Sequence, residues 1–269
     1  MDWSKSKIRT TVLAYIYLLA VTIQSCTMVN VSVSNKRNPA LQTLEFGKNL
    51  KVTTWGAIKV NKADFFPSSF QILSKGTVLY IDPVETDISE KADYIFITHA
   101  HPDHFSIKTI EKIVKPETII ICPKSVSKKL FKKDYNIKEV GPGQLVDLAG
   151  IQCKSVHAYN TKNVFLWIKA HPKSKQNVGY ILTLTDNTRI YHTGDTDYIP
   201  EMEDINDIDI VMVPIGGDNL TMNITEAAKM VNRIRPQIAI PMHYELKNKA
   251  LLPQFRNLVN DEIKVKSLE

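Results

Sequence analysis

The sequence predicts a layered α/β domain over most of its length. Three observations carry that expectation. From about residue 51 short apolar runs of strand character alternate with amphipathic helical ones. Strands dominate the first part of each half, and helices follow that can cover them. No internal repeat or low-complexity tract interrupts the pattern. With 269 residues, 43% of them hydrophobic, the chain can bury a core without disulfide staples.

The elements follow in order. Ser69–Leu73 and Thr77–Ile81 read as a hairpin through Ser74-Lys75-Gly76. Tyr94–Thr98 is a buried strand, and the amphipathic stretch Ile107–Val114 a helix. Thr118–Cys122 is a strand and Ser125–Lys132 a helix. Leu145–Leu148 and Ile151–His157 pair across Ala149-Gly150. Val178–Leu184 and Arg189–His192 pair across a turn at Asp186-Asn187. Ile208–Pro214 is a strand, Ile224–Ile234 a helix, Gln237–Pro241 a strand and Leu251–Val259 the last helix.

The N-terminus has the pattern of a targeting segment. Lys5, Lys7 and Arg9 precede the apolar run Thr11–Ile23. That run is short of the roughly 20 apolar residues of a membrane span and fits a secretory hydrophobic region. It ends at Ile23-Gln24-Ser25-Cys26, which resembles a bacterial lipobox. Residues 1–26 are therefore expected to be a lipoprotein-type signal peptide, with a lipid anchor at Cys26 in the bacterial cell envelope. An ordinary cleaved signal and an uncleaved anchor are the alternatives. The polar residues 27–48 are expected to be a tether and 49–269 the folded domain.

The net charge is +6, of which +2 falls within residues 1–25. The lysines are scattered, and no basic helix carries interleaved aromatics, so no nucleic-acid partner is expected. Cys122 and Cys153 follow or sit in apolar strand-like runs and read as buried small hydrophobes.

The chemistry is concentrated in His99-Ala100-His101-Pro102-Asp103-His104, at the end of a buried strand. In extended backbone His99 and His101 point the same way and can share one ion. A turn at Pro102 swings Asp103 and His104 towards a second. Zinc accepts such nitrogen and oxygen donors at about 2.0–2.2 Å. Three later residues join as candidates because each follows or closes a strand: His157, Asp195 and His243. Asp195 is a carboxylate placed to bridge two ions. His192 lies within a strand and reads as structural. His171, in the loop His171-Pro172-Lys173, reads as a surface or substrate contact.

The series His99-x-His101-x-Asp103-His104, His157, Asp195, His243 resembles the metallo-β-lactamase superfamily over about residues 50–250. Gly194-Asp195-Thr196-Asp197, Pro214-Ile215-Gly216-Gly217, Thr221-Met222 and Pro241-Met242-His243-Tyr244 resemble its ascorbate-6-phosphate lactonase-like branch. The resemblance implies a single-domain αββα sandwich and a dinuclear metal-dependent hydrolase. His99, His101 and His157 would hold one ion. Asp103, His104 and His243 would hold the other, and Asp195 would bridge. The ions are expected to be Zn²⁺, with Mn²⁺ or Fe as alternatives. Activated water would attack an ester, lactone or phosphodiester. Asp103 would also be catalytic by orienting that water. The expected partner is a small-molecule or lipid-like substrate. Tyr244, Tyr159 and His171 are the candidates for protonating the leaving group. Trp55-Gly56-Ala57 departs from the Gly-His pair that similar proteins carry there.

Competing readings are a nuclease or phosphodiesterase of the same superfamily and a non-enzymatic, metal-binding surface lipoprotein. A di-iron reductase on the same fold would carry Glu where His101 stands and would need a flavin partner domain.

Overall fold

The structure is a computed structural model and describes residues 29–38, 40, 42–86 and 90–269. The expected signal peptide and Cys26 lie outside the described residues. Among the described residues, no helix is long and apolar enough to cross a membrane.

Two seven-stranded sheets form the body. One runs edge to edge as Asn136–Glu139, Ile119–Cys122, Tyr94–Phe96, Thr77–Ile81, Phe70–Ser74, Leu50–Thr54 and Gln42–Phe46. The other runs Leu145–Leu148, Ile151–His157, Val178–Thr183, Arg189–His192, Ile210–Pro214, Ile238–Met242 and Lys264–Val265. Each combines antiparallel hairpins with a parallel half. Thr77–Ile81, Tyr94–Phe96 and Ile119–Cys122 are parallel in the first. Arg189–His192, Ile210–Pro214 and Ile238–Met242 are parallel in the second.

Alternation along the strands makes the layers. Leu79, Ile81 and Ile121 join a core that also contains Val146, Leu182, Ile190 and Val211 of the other sheet. Their neighbours Tyr80 and Ile120 face the opposite way, with Ile110, Ile113, Val126 and Leu130. Those last four lie on the helices Ile107–Ile113 and Lys124–Leu130, which cover the outer face of the first sheet. The helices Ile224–Ile234 and Leu251–Leu258 bury Met230, Val231 and Phe255 against the second. This is the helix–sheet–sheet–helix sandwich that the resemblance implied.

Local chemistry sets the boundaries. Asn223 caps the helix Ile224–Ile234: its side chain accepts from the amides of Thr225 and Glu226 at 3.0 Å, and Glu226 returns a bond to the Asn223 amide. Ala149 and Gly150 take positive φ in the two-residue turn between Leu145–Leu148 and Ile151–His157, as that hairpin requires. Most elements fall within two residues of their expected limits. Tyr94–Phe96 ends two residues early, although the Ile97 amide still donates to the Ile121 carbonyl at 3.0 Å.

The region read as a tether needs correction. Val31–Val33 pairs with Ile58–Val60 in a small four-stranded sheet, and Gln42–Phe46 forms an edge of the first large sheet. The alternation Thr43-Leu44-Glu45-Phe46 explains this: Leu44 is buried in the core and Phe46 packs against it. The folded domain therefore begins before residue 49.

Candidate metal centre

Ligand-type side chains converge where the parallel strands of both sheets end. His99 follows Tyr94–Phe96, Asp195 follows Arg189–His192, and His243 follows Ile238–Met242. Tyr180, on the second sheet, donates its hydroxyl to the carbonyls of Ile97 and Ile121 on the first. The Val178 amide reaches the Thr98 carbonyl at 3.2 Å. These bonds fix the two strand ends against each other at the site.

Three ligand groups form there: His99, His101 and His171; His99, His104 and Asp195; and Asp103, His104 and His243. Within each, the ligand atoms lie within 4.8 Å of one another. Asp195 Oδ2 stands between them. It is 3.1 Å from His243 Nε2, 3.2 Å from His104 Nε2, 3.6 Å from His171 Nε2 and 3.9 Å from His99 Nε2. Asp103 Oδ2 lies 3.3 Å from His243 Nε2 and 3.7 Å from His104 Nε2.

The donor set fits divalent metal. The Nε2 atoms of His99 and His104 and Oδ1 of Asp195 are buried without a hydrogen-bond partner. Orphaned buried acceptors of this kind are costly unless something else satisfies them. Imidazole nitrogen and carboxylate oxygen are what zinc-type ions accept.

A buried carboxylate behind the cluster sets its tautomers. Asp82, just past Thr77–Ile81, accepts from His104 Nδ1 at 2.7 Å, from the Thr98 amide at 2.7 Å and from the Thr98 hydroxyl at 2.6 Å. The Thr98 hydroxyl, having given its proton to Asp82, accepts from His99 Nδ1 at 3.0 Å. Both histidines are thereby fixed through Nδ1, with Nε2 facing the site. Sequence reasoning missed Asp82. The available signal was an aspartate at the end of an apolar strand, the same pattern that marked Asp195.

The structure brings together His99, His101, Asp103, His104, Asp195 and His243, but not His157. In its place stands His171. After His157 the chain leaves the sheet, and residues 161–170 make an excursion before returning. Asn160 closes that excursion: its amide donates to the His171 carbonyl at 2.7 Å, and its Oδ1 accepts from the His171 amide at 2.9 Å. His171 Nδ1 donates to Asn160 Oδ1 and the Leu220 carbonyl, which turns Nε2 to within 3.1 Å of His101 Nδ1. His157 instead packs edge-on against Tyr159, half-buried.

His192 is structural, as read from its place in a strand: its Nε2 donates to the Ser68 carbonyl and its Nδ1 accepts from the Gly194 amide. Neither tyrosine proposed as a proton donor reaches the cluster through its hydroxyl. The Tyr244 hydroxyl bonds to Glu269 and the Tyr159 hydroxyl to Glu201.

Burial and the neighbouring histidines push His99 well down and His101 down, and burial pushes His171 down to about 4. Neutral imidazole is the ligand form. Burial opposes charge at His104 and His243 too, but Asp195 and Asp103 outweigh it and raise both, His243 to about 10. Burial likewise opposes ionisation of Asp103 and Asp195, yet the neighbouring histidines hold both carboxyls below their usual range.

Close backbone approach finishes the site. His243 adopts φ +51°, and a Cβ at Gly216 would stand 2.3 Å from its carbonyl oxygen. Beside His243 a cleft of about 140 Å³ opens between Phe65, Gly217, Leu220, Lys247, Asn248 and Leu251.

Comparison with known proteins shows the family and the fold. Residues 65–243 match the model of a "Beta-lactamase superfamily domain". A UPF0173 protein of Pyrococcus furiosus is 32% identical over 197 residues, covering 70% of this chain and 84% of that protein. A UPF0173 metal-dependent hydrolase of Nanoarchaeum equitans is 35% identical over 188 residues, covering 68% and 83%. Among solved structures, a candidate metal-dependent hydrolase from Parabacteroides distasonis superposes with a TM-score of 0.68 at 28% identity. That match covers 86% of this chain and 98% of the other. A metallo hydrolase from Ignicoccus hospitalis shares the fold, with a TM-score of 0.61 at 23% identity and coverage of 76% and 93%.

Proposed function

The chain belongs to the metallo-β-lactamase superfamily and is a metal-dependent hydrolase, and from that premise we propose that it works with two divalent ions on an ester, lactone or phosphodiester. His99, His101 and His171 would hold one ion. Asp103, His104 and His243 would hold the other. The observation that carries two ions rather than one is the position of Asp195 Oδ2, which faces Nε2 atoms of both sets at 3.1–3.9 Å. Zinc is the ion that best suits a set of five imidazoles and two carboxylates.

Bound ions of this kind supply an activated water and an electrophilic hold on the substrate oxygen. The protein's own residues do the rest. Asp82 and Thr98 keep His99 and His104 in one tautomer. Asn160 and the Leu220 carbonyl do the same for His171. Asp195 is 3% exposed and closed in, whereas the Asp103 side chain is 20% exposed. Asp103 is thus the carboxylate that meets solvent, and the one placed to orient a water. The cleft beside His243 offers an apolar wall, from Phe65, Leu220 and Leu251, and a charged rim on which Lys247 pairs with Glu245 at 2.9 Å beside Asp218. That mixture suits a small amphipathic or lipid-like substrate. The charged stretch before Thr11–Ile23 and the Ile23–Cys26 sequence support a lipid anchor at Cys26 holding the domain at a bacterial envelope membrane.

The test is hydrolysis by the zinc-loaded full-length chain of a panel containing bis-p-nitrophenyl phosphate, a p-nitrophenyl ester and a lactone. Turnover of at least one substrate is expected, with loss of about a hundredfold or more in His101→Ala. Unchanged activity in His101→Ala on every substrate would remove the proposal.

A further inference from the structure

The excursion between Asn160 and His171 carries an apolar tip. Val164, Phe165, Leu166, Trp167 and Ile168 are consecutive and 39%, 65%, 62%, 78% and 41% exposed. The tip is a closed turn. The Val164 amide donates to the Ile168 carbonyl at 2.8 Å, the Ile168 amide donates to the Phe165 carbonyl at 2.8 Å, and Leu166 takes φ +48°.

Its base is firmly held. Asp197, buried, accepts from the Thr161 amide and hydroxyl and from the Lys162 amide at 2.7–3.0 Å. Lys169 donates to the Thr161 carbonyl across the base, and Asn219 donates to the Asn163 carbonyl. The apolar side chains are therefore held out from the body rather than folded onto it. Leu220, 39% exposed and next to Asn219, extends the apolar surface to the cleft beside His243.

The charges carried by the excursion itself are of one sign. Residues 161–175 contain Lys162, Lys169, Lys173 and Lys175 and no Asp or Glu. Lys162 pairs with Glu226 and Lys173 with Glu201, whereas Lys169 and Lys175 have no carboxylate partner among the described residues. A tryptophan-bearing apolar tip with a lysine collar matches the boundary between anionic headgroups and acyl chains. The apolar residues enter the hydrocarbon edge, the indole takes the interface, and the ammonium groups meet phosphate. A polar protein groove would match the collar but not the five apolar residues.

We propose that the Val164–Ile168 hairpin docks into the surface of an anionic lipid bilayer. Docking would hold the cleft, and His171 three residues beyond the tip, close to the lipid. It is a property of the surface and does not depend on which bond is cleaved.

The test uses the full chain carrying Trp3→Phe, so that buried Trp55 and exposed Trp167 remain as reporters. It is mixed with phosphatidylcholine–phosphatidylglycerol vesicles or with phosphatidylcholine alone, with and without brominated acyl chains. The expected result is a blue shift and bromine quenching of Trp167 with the anionic vesicles, weaker with the neutral ones. Adding Trp167→Phe should remove the signal. Leu166→Asp should abolish the shift even where residues 1–28 still carry the chain to the vesicles. His101→Ala should leave it intact, which separates docking from hydrolysis. An unquenched Trp167 on a vesicle-bound chain would overturn the proposal. So would a chain that fails to sediment with vesicles, or a blue shift that grows with protein concentration in the absence of lipid.

Discussion

His104 Nδ1 donates to Asp82 Oδ2 across 2.7 Å, with both side chains fully buried. The same carboxylate carries Thr98 and, through it, the tautomer of His99. Asp82→Asn keeps the size but removes the charge and one acceptor. Metal affinity should fall about 10–100-fold. Stability should fall by roughly 1–3 kcal/mol, because buried partners lose an acceptor. Chelator competition followed by thermal unfolding reads both. Unchanged affinity would show that the Asp82 contact does not tune the ligands.

His171 and His157 make opposite predictions. His171→Ala removes a ligand and should drop zinc content from two ions per chain towards one. His157→Ala removes a half-buried ring packed on Tyr159 and should leave zinc content unchanged. Elemental analysis of the two purified variants decides between them.

Gly216 is constrained by contact. A Cβ there would meet the His243 carbonyl at 2.3 Å, and backbone cannot give way as a side-chain end can. Gly216→Ala should cost roughly 1–3 kcal/mol of stability, the usual range for overpacking, and should weaken the Asp103–His104–His243 group. Denaturant unfolding with a zinc titration measures both effects.

Burial pushes the thiols of Cys122 and Cys153 up to about 12. A raised pKa leaves the thiol protonated until the pH approaches it, and the thiolate is the reactive form. At about pH 8, close to an ordinary cysteine pKa, iodoacetamide should therefore leave both peptides unmodified in the native chain. In denaturant it should label both. Mass spectrometry of the two peptides is the readout, and native labelling would contradict their burial.

Much of the site was legible because its residues sit at strand ends. An apolar run followed by His99-Ala100-His101-Pro102-Asp103-His104 shows both where the sheet stops and what chemistry begins. Asp195 and His243 obey the same grammar. His171 does not. It lies in a lysine-rich loop with no apolar periodicity, and it is held by Asn160 and the Leu220 carbonyl, 11 and 49 residues away. His157 closed a strand, yet the chain turns out of the sheet immediately after it. The α/β layers were legible from alternation, whereas Val31–Val33 was not. That strand is too short to show a period, and its partner, Ile58–Val60, lies about 27 residues on.

The most direct test titrates zinc into the stripped full-length chain while following both bound metal and hydrolysis of a turned-over substrate. The proposed centre predicts saturation at two ions per chain, with activity rising as the sites fill and abolished in Asp195→Ala. Saturation at one ion per chain or fewer, or hydrolysis indifferent to zinc and to Asp195→Ala, would contradict it.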